Sequence, residues 1–146
     1  MKILLFGATG SAGSAVLDAC LGAAIVDEVR AIVRRPLLNT NSKLRTFVHP
    51  DFLDYSTVEE AFRDVDACLF CLGISVTQVS KEEYRTITYS YTLAAANMLK
   101  RHSPGAAFHY ISGHLTPIAG ARRSSMQNRL PRRQRCSHCS IHFFDC

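Results

Sequence analysis

The opening thirteen residues, MKILLFGATGSAG, constrain this chain more than any other stretch. An apolar run from Ile3 to Phe6 drops into glycines at Gly7, Gly10 and Gly13, and a helix-compatible run follows from Ser14. Strand, tight turn and helix in that order form a cradle for a pyrophosphate. The first glycine permits the turn, the second lets backbone approach phosphate oxygen, and the third allows the helix to pack closely on the strand. Around them Thr9, Ser11 and Ala12 supply backbone N–H groups at the positive end of the helix dipole.

The rest of the chain repeats this alternation. Glu28 to Val33, Arg45 to His49, Ala67 to Leu72 and Ala106 to Ile111 read as four further strands, apolar enough to be covered on both faces. Helical spacing appears in Ser14 to Leu21, with Ala15, Val16, Ala19 and Cys20 on the inner side, and over the long run Glu82 to Arg101. Ser56 with Glu59 has the spacing of a capping box for a short helix between the third and fourth strands. Strands alternating with helices predict an α/β fold, a Rossmann-type doubly wound parallel sheet of about five strands.

That pattern stops near Gly113. Of the 12 acidic residues only Asp145 follows Glu83, so the net charge of +5 belongs to the back half. Residues 1–113 are expected to form one domain and residues 114–146 an irregular basic tail, with the break in composition suggesting a truncated or frame-shifted coding sequence. Overall, 47% hydrophobic and 20% charged residues are globular values, which argues against disorder over most of the length. Neither a secretory signal nor a membrane-spanning run is visible, so the expected location is the cytoplasm and no membrane partner is expected. The six cysteines are not laid out as a disulfide framework, and free thiols are the expectation.

GATGSAG and the strand ends after it resemble the extended and atypical short-chain dehydrogenase/reductase (SDR) superfamily, and Met1 to about Gly113 resembles its NmrA-like, NAD(P)-binding branch. The resemblance implies a Rossmann domain holding a dinucleotide, with Gly7, Thr9, Gly10, Ser11, Ala12 and Gly13 around the phosphates. Arg34 and Arg35 end the second strand, where an acidic residue would bond ribose hydroxyls and an arginine would pair with a 2′-phosphate. NADP is therefore expected over NAD; the alternative for these arginines is plain solvation beside Pro36. Asp51 falls where the family places a carboxylate for the adenine amino group, although an aspartate after Pro50 also forms turns. Leu72 and Gly73 resemble the segment that passes the adenosine ribose, and Ser112 the active-site serine that orients a substrate carbonyl.

The superfamily's Tyr-x-x-x-Lys pair is absent: Tyr110 is the last tyrosine and Lys100 the last lysine. An oxidoreductase acting on an unidentified small molecule and a non-catalytic NADP(H)-binding sensor therefore both stand. Other motifs carry less. Cys136, His138, Cys139 and His142 crowd four donors into one short run, whereas structural zinc uses two separated pairs, so no metal is expected. Cys68 and Cys71 form C-x-x-C within a strand, where redox pairs do not sit. The arginines between Arg122 and Arg135 could contact phosphate backbones, but they lack interleaved aromatics, which ranks nucleic-acid binding last.

Overall fold

The computed structural model describes residues 1–74, 77–113 and 139–144. Strand β1 (Lys2–Phe6) leads through the glycine turn into α1 (Ser11–Gly22), then β2 (Glu28–Val33) and β3 (Leu44–Val48). Two short 3₁₀ turns, kinked at Val58, span Ser56–Phe62 before β4 (Ala67–Phe70). A continuous helical rod follows as α2 (Lys81–Arg85), a π-helical segment (Thr86–Ser90) and α3 (Tyr91–His102), and β5 (Ala107–Gly113) closes the parallel series. The strand order is β3-β2-β1-β4-β5-β6, with β1 to β5 parallel and β6 (Cys139–Phe144) antiparallel on β5. Five parallel strands in a doubly wound order match the expected fold class.

Alternate residues of the strands supply two cores, one on each face. Leu4, Phe6, Ile32, Cys68, Phe70 and Phe108 face the 3₁₀ turns and α3, whereas Ile3, Leu5, Val29, Ala31 and Val33 face α1. Phe6 is fully buried among Phe52, Tyr55, Phe62 and Phe70, at ring centroid distances of 4.9 to 6.3 Å. Burying one such ring contributes about 2–3 kcal/mol. The first face thus depends on the loop that carries Phe52 and Tyr55.

Several expectations shift. On α1 the inward residues are Gly13 and Leu17, with Val16 and Cys20 partly buried, while Ala15 and Ala19 are exposed. The helix is rotated because Gly13 must meet the strand. Ser56 does not cap: its hydroxyl donates to Asp54 Oδ2 at 3.1 Å, and Glu59 lies 3.9 Å from Arg63 and from His102. The capping box is instead at Ser80 and Glu83, where each side chain accepts the other's backbone N–H at 3.2 Å. The long helix departs from α geometry over Thr86–Ser90, where the hydroxyls of Thr86 and Thr88, and of Thr92 just beyond, donate to carbonyls four residues back. Within the segment read as an irregular tail, Cys139–Phe144 is a strand, pairing Gly113 with Cys139 through Phe108 with Phe144. Arg122 to Arg135, Cys136, His138 and His114 lie outside the described residues.

Cys68 faces one core and Cys71 packs against the other, so the C-x-x-C pair is split by the sheet. Among the described residues no helix is long and apolar enough to cross a membrane, and no three His, Cys, Asp or Glu residues gather as metal ligands.

Candidate functional site

At the carboxyl edge of the sheet the register aligns the predicted residues. Phe6 pairs with Ile32 and Phe70, and Phe70 pairs with Tyr110. Two residues further along stand Ala8, Arg34 and Leu72, just past the ends of β1, β2 and β4, and Ser112 near the end of β5. The chain reverses its winding between β1 and β4, which is where open α/β sheets hold ligands.

The cradle is built at this switch. Gly7 has φ of +74°, and a Cβ there would lie 2.7 Å from the Cys71 carbonyl oxygen and 2.9 Å from the Leu72 nitrogen. Only glycine meets both demands. At Gly13 a Cβ would stand 1.9 Å from the Gly7 oxygen, so helix and turn touch backbone to backbone. Gly10 differs: a Cβ there would meet only the Gly7 oxygen, at 3.3 Å, and its N–H donates to that same oxygen at 2.9 Å. The tight turn and close helix packing read from the sequence are both realised.

Gly10 caps α1 without a side-chain hydrogen bond, and no acidic residue occupies the first turn. The first N–H groups of a helix have no intrahelical acceptors, and the dipole makes this end positive. Ser11 is exposed and Ala12 half-buried at this pole, with exposed Thr9 before it. The arrangement suits an anion whose oxygens replace the missing cap.

Arg34 and Arg35 are exposed directly past β2, beside Pro36, and neither forms a hydrogen bond or ion pair with another described residue. Asp51 is exposed, and its Oδ1 accepts the Leu53 N–H at 2.8 Å. The turn-forming role is thus real, and it leaves Oδ2 for another donor. Leu72 packs against the first core, and Gly73 has open space where a Cβ would be. Ser112 occupies the sixth position of β5, opposite Ser140 in the β5–β6 register. Between β2 and β5 lie three strand spacings, roughly 14 Å, so the phosphate end and the Ser112 end of one crevice are well separated.

Three buried polar residues that brace the fold around this site escaped the sequence reading. Arg30, buried in β2, donates to both oxygens of Glu28 at 3.0 and 3.2 Å and to the carbonyls of Glu60 and Arg63 at 3.0 and 2.6 Å. It satisfies the carboxyl end of the 3₁₀ turns; an arginine inside an apolar strand was the available signal. His49 is buried, with Nε2 2.7 Å from the Asp54 carbonyl and Nδ1 3.3 Å from the Thr57 hydroxyl. Nε2 donates to that carbonyl, and the two contacts pin the loop that carries Asp51. Ser103 Oγ accepts the Val65 N–H at 3.1 Å and donates to the Phe62 carbonyl at 2.8 Å, tying the end of α3 to the entry of β4. Tyr55 is also buried in this loop, and its phenol has no hydrogen-bond partner among the described residues; burial pushes its pKa up.

Comparison with known proteins adds a family. Residues 3–135 match the sequence model of the NAD dependent epimerase/dehydratase family. Among solved structures, uronate dehydrogenase from Agrobacterium tumefaciens superposes with a TM-score of 0.57 at 19% identity, over 69% of this chain and 36% of that one. A UDP-glucuronic acid 4-epimerase variant from Bacillus cereus, in complex with a fluorinated UDP-sugar and NAD, gives 0.55 at 23% identity, over 68% of this chain and 36% of that one. A short-chain dehydrogenase/reductase superfamily protein from Agrobacterium tumefaciens with bound NAD gives 0.53 at 20% identity, over 73% and 30%. These likenesses establish the shared fold, and the chain spans about a third of the length of each neighbour. No curated protein matches the sequence.

Proposed function

Because this chain belongs to the NAD dependent epimerase/dehydratase family, we propose that its crevice binds a nicotinamide dinucleotide, with NADP(H) preferred and Ser112 orienting a substrate carbonyl. The uncapped amino end of α1, held against β1 by the Gly7–Gly13 contact, carries this reading. Backbone N–H groups of Ser11, Ala12 and Gly13 would take the pyrophosphate, with Thr9 beside them and Gly10 leaving room for its oxygens. Arg34, exposed and without a counter-charge among the described residues, would pair with the 2′-phosphate, with Arg35 as a second cation. The remaining Asp51 oxygen would accept the adenine amino group, and Leu72 and Gly73 would border the ribose.

When bound, the cofactor supplies the hydride chemistry, and the protein's part is positioning. The expected cellular location remains the cytoplasm, on the sequence alone. The absence of a Tyr-x-x-x-Lys pair from all 146 residues favours a second reading, in which the same cradle senses NADP(H) without turnover. The resemblance to the NmrA-like branch supports that alternative.

Titration of the chain with NADPH and with NADH tests the binding claim. Both should bind saturably, and Arg34→Ala should weaken NADPH by about tenfold or more, the size of a lost charge-assisted hydrogen bond, while NADH shifts by less than about twofold. Equal loss for both cofactors would remove the 2′-phosphate assignment. Turnover with hexuronic acids or UDP-linked uronic acids would favour the enzyme, and saturable binding without turnover the sensor.

A further inference from the structure

His49 is the junction between the ends of β2 and β3. Its backbone N–H donates at 2.8 Å to the carbonyl of Val33, the residue before Arg34, so the strand end that presents the arginine is tied to the one that leads to Asp51. Only Pro50 separates His49 from Asp51. The proline ring fixes its own φ and holds the preceding residue extended, so little slack divides the imidazole from the Asp51 carboxylate.

The same imidazole fastens the loop from its far side. Nε2 donates to the Asp54 carbonyl at 2.7 Å and Nδ1 lies 3.3 Å from the Thr57 hydroxyl, five and eight residues along the chain. The ring stands 6.4 Å from that of Phe52 and 5.6 Å from that of Tyr55, both members of the first core. Asp51 is thus an exposed residue in a loop whose two legs meet on one buried side chain. Its Oδ1 accepts the Leu53 N–H, which restrains the carboxylate and leaves Oδ2 as the oxygen for a ligand. A buried imidazole needs polar partners that a phenylalanine would not. What the histidine adds is direction, since its two nitrogens hold the loop in one arrangement.

We propose that His49 is a positioning residue that sets nucleobase selectivity: by fixing the Asp51 loop it makes the crevice accept the 6-amino group of adenine and reject a 6-oxo purine. The inference rests on the reading in which Asp51 receives that amino group. A carboxylate accepts a hydrogen bond from an amino group but opposes a carbonyl oxygen, so an Asp51 held in place discriminates between the two bases and one that wanders does not. His49 itself touches no ligand atom and acts through Asp51.

Fluorescence titration of the 146-residue chain with NADPH, NADH and the hypoxanthine analogue of NADPH tests the proposal. Wild type should favour NADPH over the analogue by about tenfold or more, and Asp51→Asn should bring the two within about twofold. His49→Phe, which fills the space without the donor, should bring them within about threefold. Its ratio of NADPH to NADH affinity should stay within about twofold of wild type, because the bond to Val33 is backbone and Arg34 keeps its place. His49→Gln, whose amide N–H can serve the Asp54 carbonyl, should restore a preference of about fivefold or more. A wild-type chain that binds no dinucleotide, or does not distinguish the two bases, overturns both the Asp51 reading and this inference. Discrimination in wild type that persists in folded His49→Phe, or a His49→Gln no better than His49→Phe, overturns the inference and leaves the Asp51 reading standing. Should His49→Phe lose its circular dichroism, Thr57→Val decides: it alters an exposed residue and removes only the Nδ1 contact, so the preference should fall by about twofold to threefold, and an unchanged preference overturns the inference.

Discussion

Gly13 stands so close to the Gly7 carbonyl that a single added methyl carbon would lie 1.9 Å from its oxygen. No side-chain adjustment relieves this, because the opposing atom is backbone. The three glycines of the turn should therefore separate experimentally. Gly13→Ala is expected to cost about 3 kcal/mol or more and to prevent stable folding, and Gly7→Ala to behave similarly because it also loses a left-handed conformation. Gly10→Ala meets one oxygen at 3.3 Å, so it should change stability by under about 1 kcal/mol while weakening dinucleotide binding. Urea unfolding and cofactor titration on the same three variants check this.

Arg30 and the carbonyls of Glu60 and Arg63 form the second test. Arg30→Leu leaves those acceptors and the Glu28 carboxylate without their donor, and is expected to cost about 3–5 kcal/mol. Arg30→Lys keeps the charge but not the fork and should recover only part. Denaturant midpoints for the two variants check the order.

Ser103 is both donor and acceptor for buried backbone. Ser103→Ala strands the Val65 N–H and the Phe62 carbonyl together, with an expected cost of about 2–3 kcal/mol. Ser103→Thr, which keeps the hydroxyl, should recover much of it, as read from the midpoint of thermal unfolding.

Acid should act in two stages. Burial disfavours the charged form of His109, so below about pH 6.5 the unfolded chain binds the proton first and stability falls with pH. Glu28 is held low chiefly by the hydrogen bonds from Arg30, so a second loss begins below about pH 4.3 and continues to its depressed folded value. His109→Gln should flatten the upper stage. Glu28→Gln should make the lower one shallower, with Asp27 and Asp54, also held low, retaining the remainder. Urea midpoints measured across that range test both assignments.

Periodicity and glycine spacing made the parallel sheet legible, because a strand covered on both faces must be continuously apolar and its turns must be sharp. Lys2–Phe6 and Glu28–Val33 fall where the residues predict them. Contacts made at a distance were not legible. S-x-x-E occurs at both Ser56 and Ser80, and only the three-dimensional position of Asp54 decides that the first hydroxyl is taken and the second caps. The threonines that accompany the π segment look helical in one dimension, and the backbone partners of Arg30 and Ser103 lie 30 to 41 residues away. At the candidate site, the glycine contacts and the alignment of strand ends follow from local chemistry. The Asx turn at Asp51 and the His49 brace beneath it depend on how the loop closes.

The central place of β1 has a consequence for how the protein is made. Its partner on one side, β2, follows closely, but Ile3 meets Ala67 on the other, 64 positions later. During translation the β1 edge that will carry β4 stays unpaired while everything between is synthesised, an interval in which an apolar strand edge can recruit another chain. The switch point that opens the crevice is thus also the seam that the ribosome leaves open longest, and a chaperone guarding the nascent protein would have most to protect there.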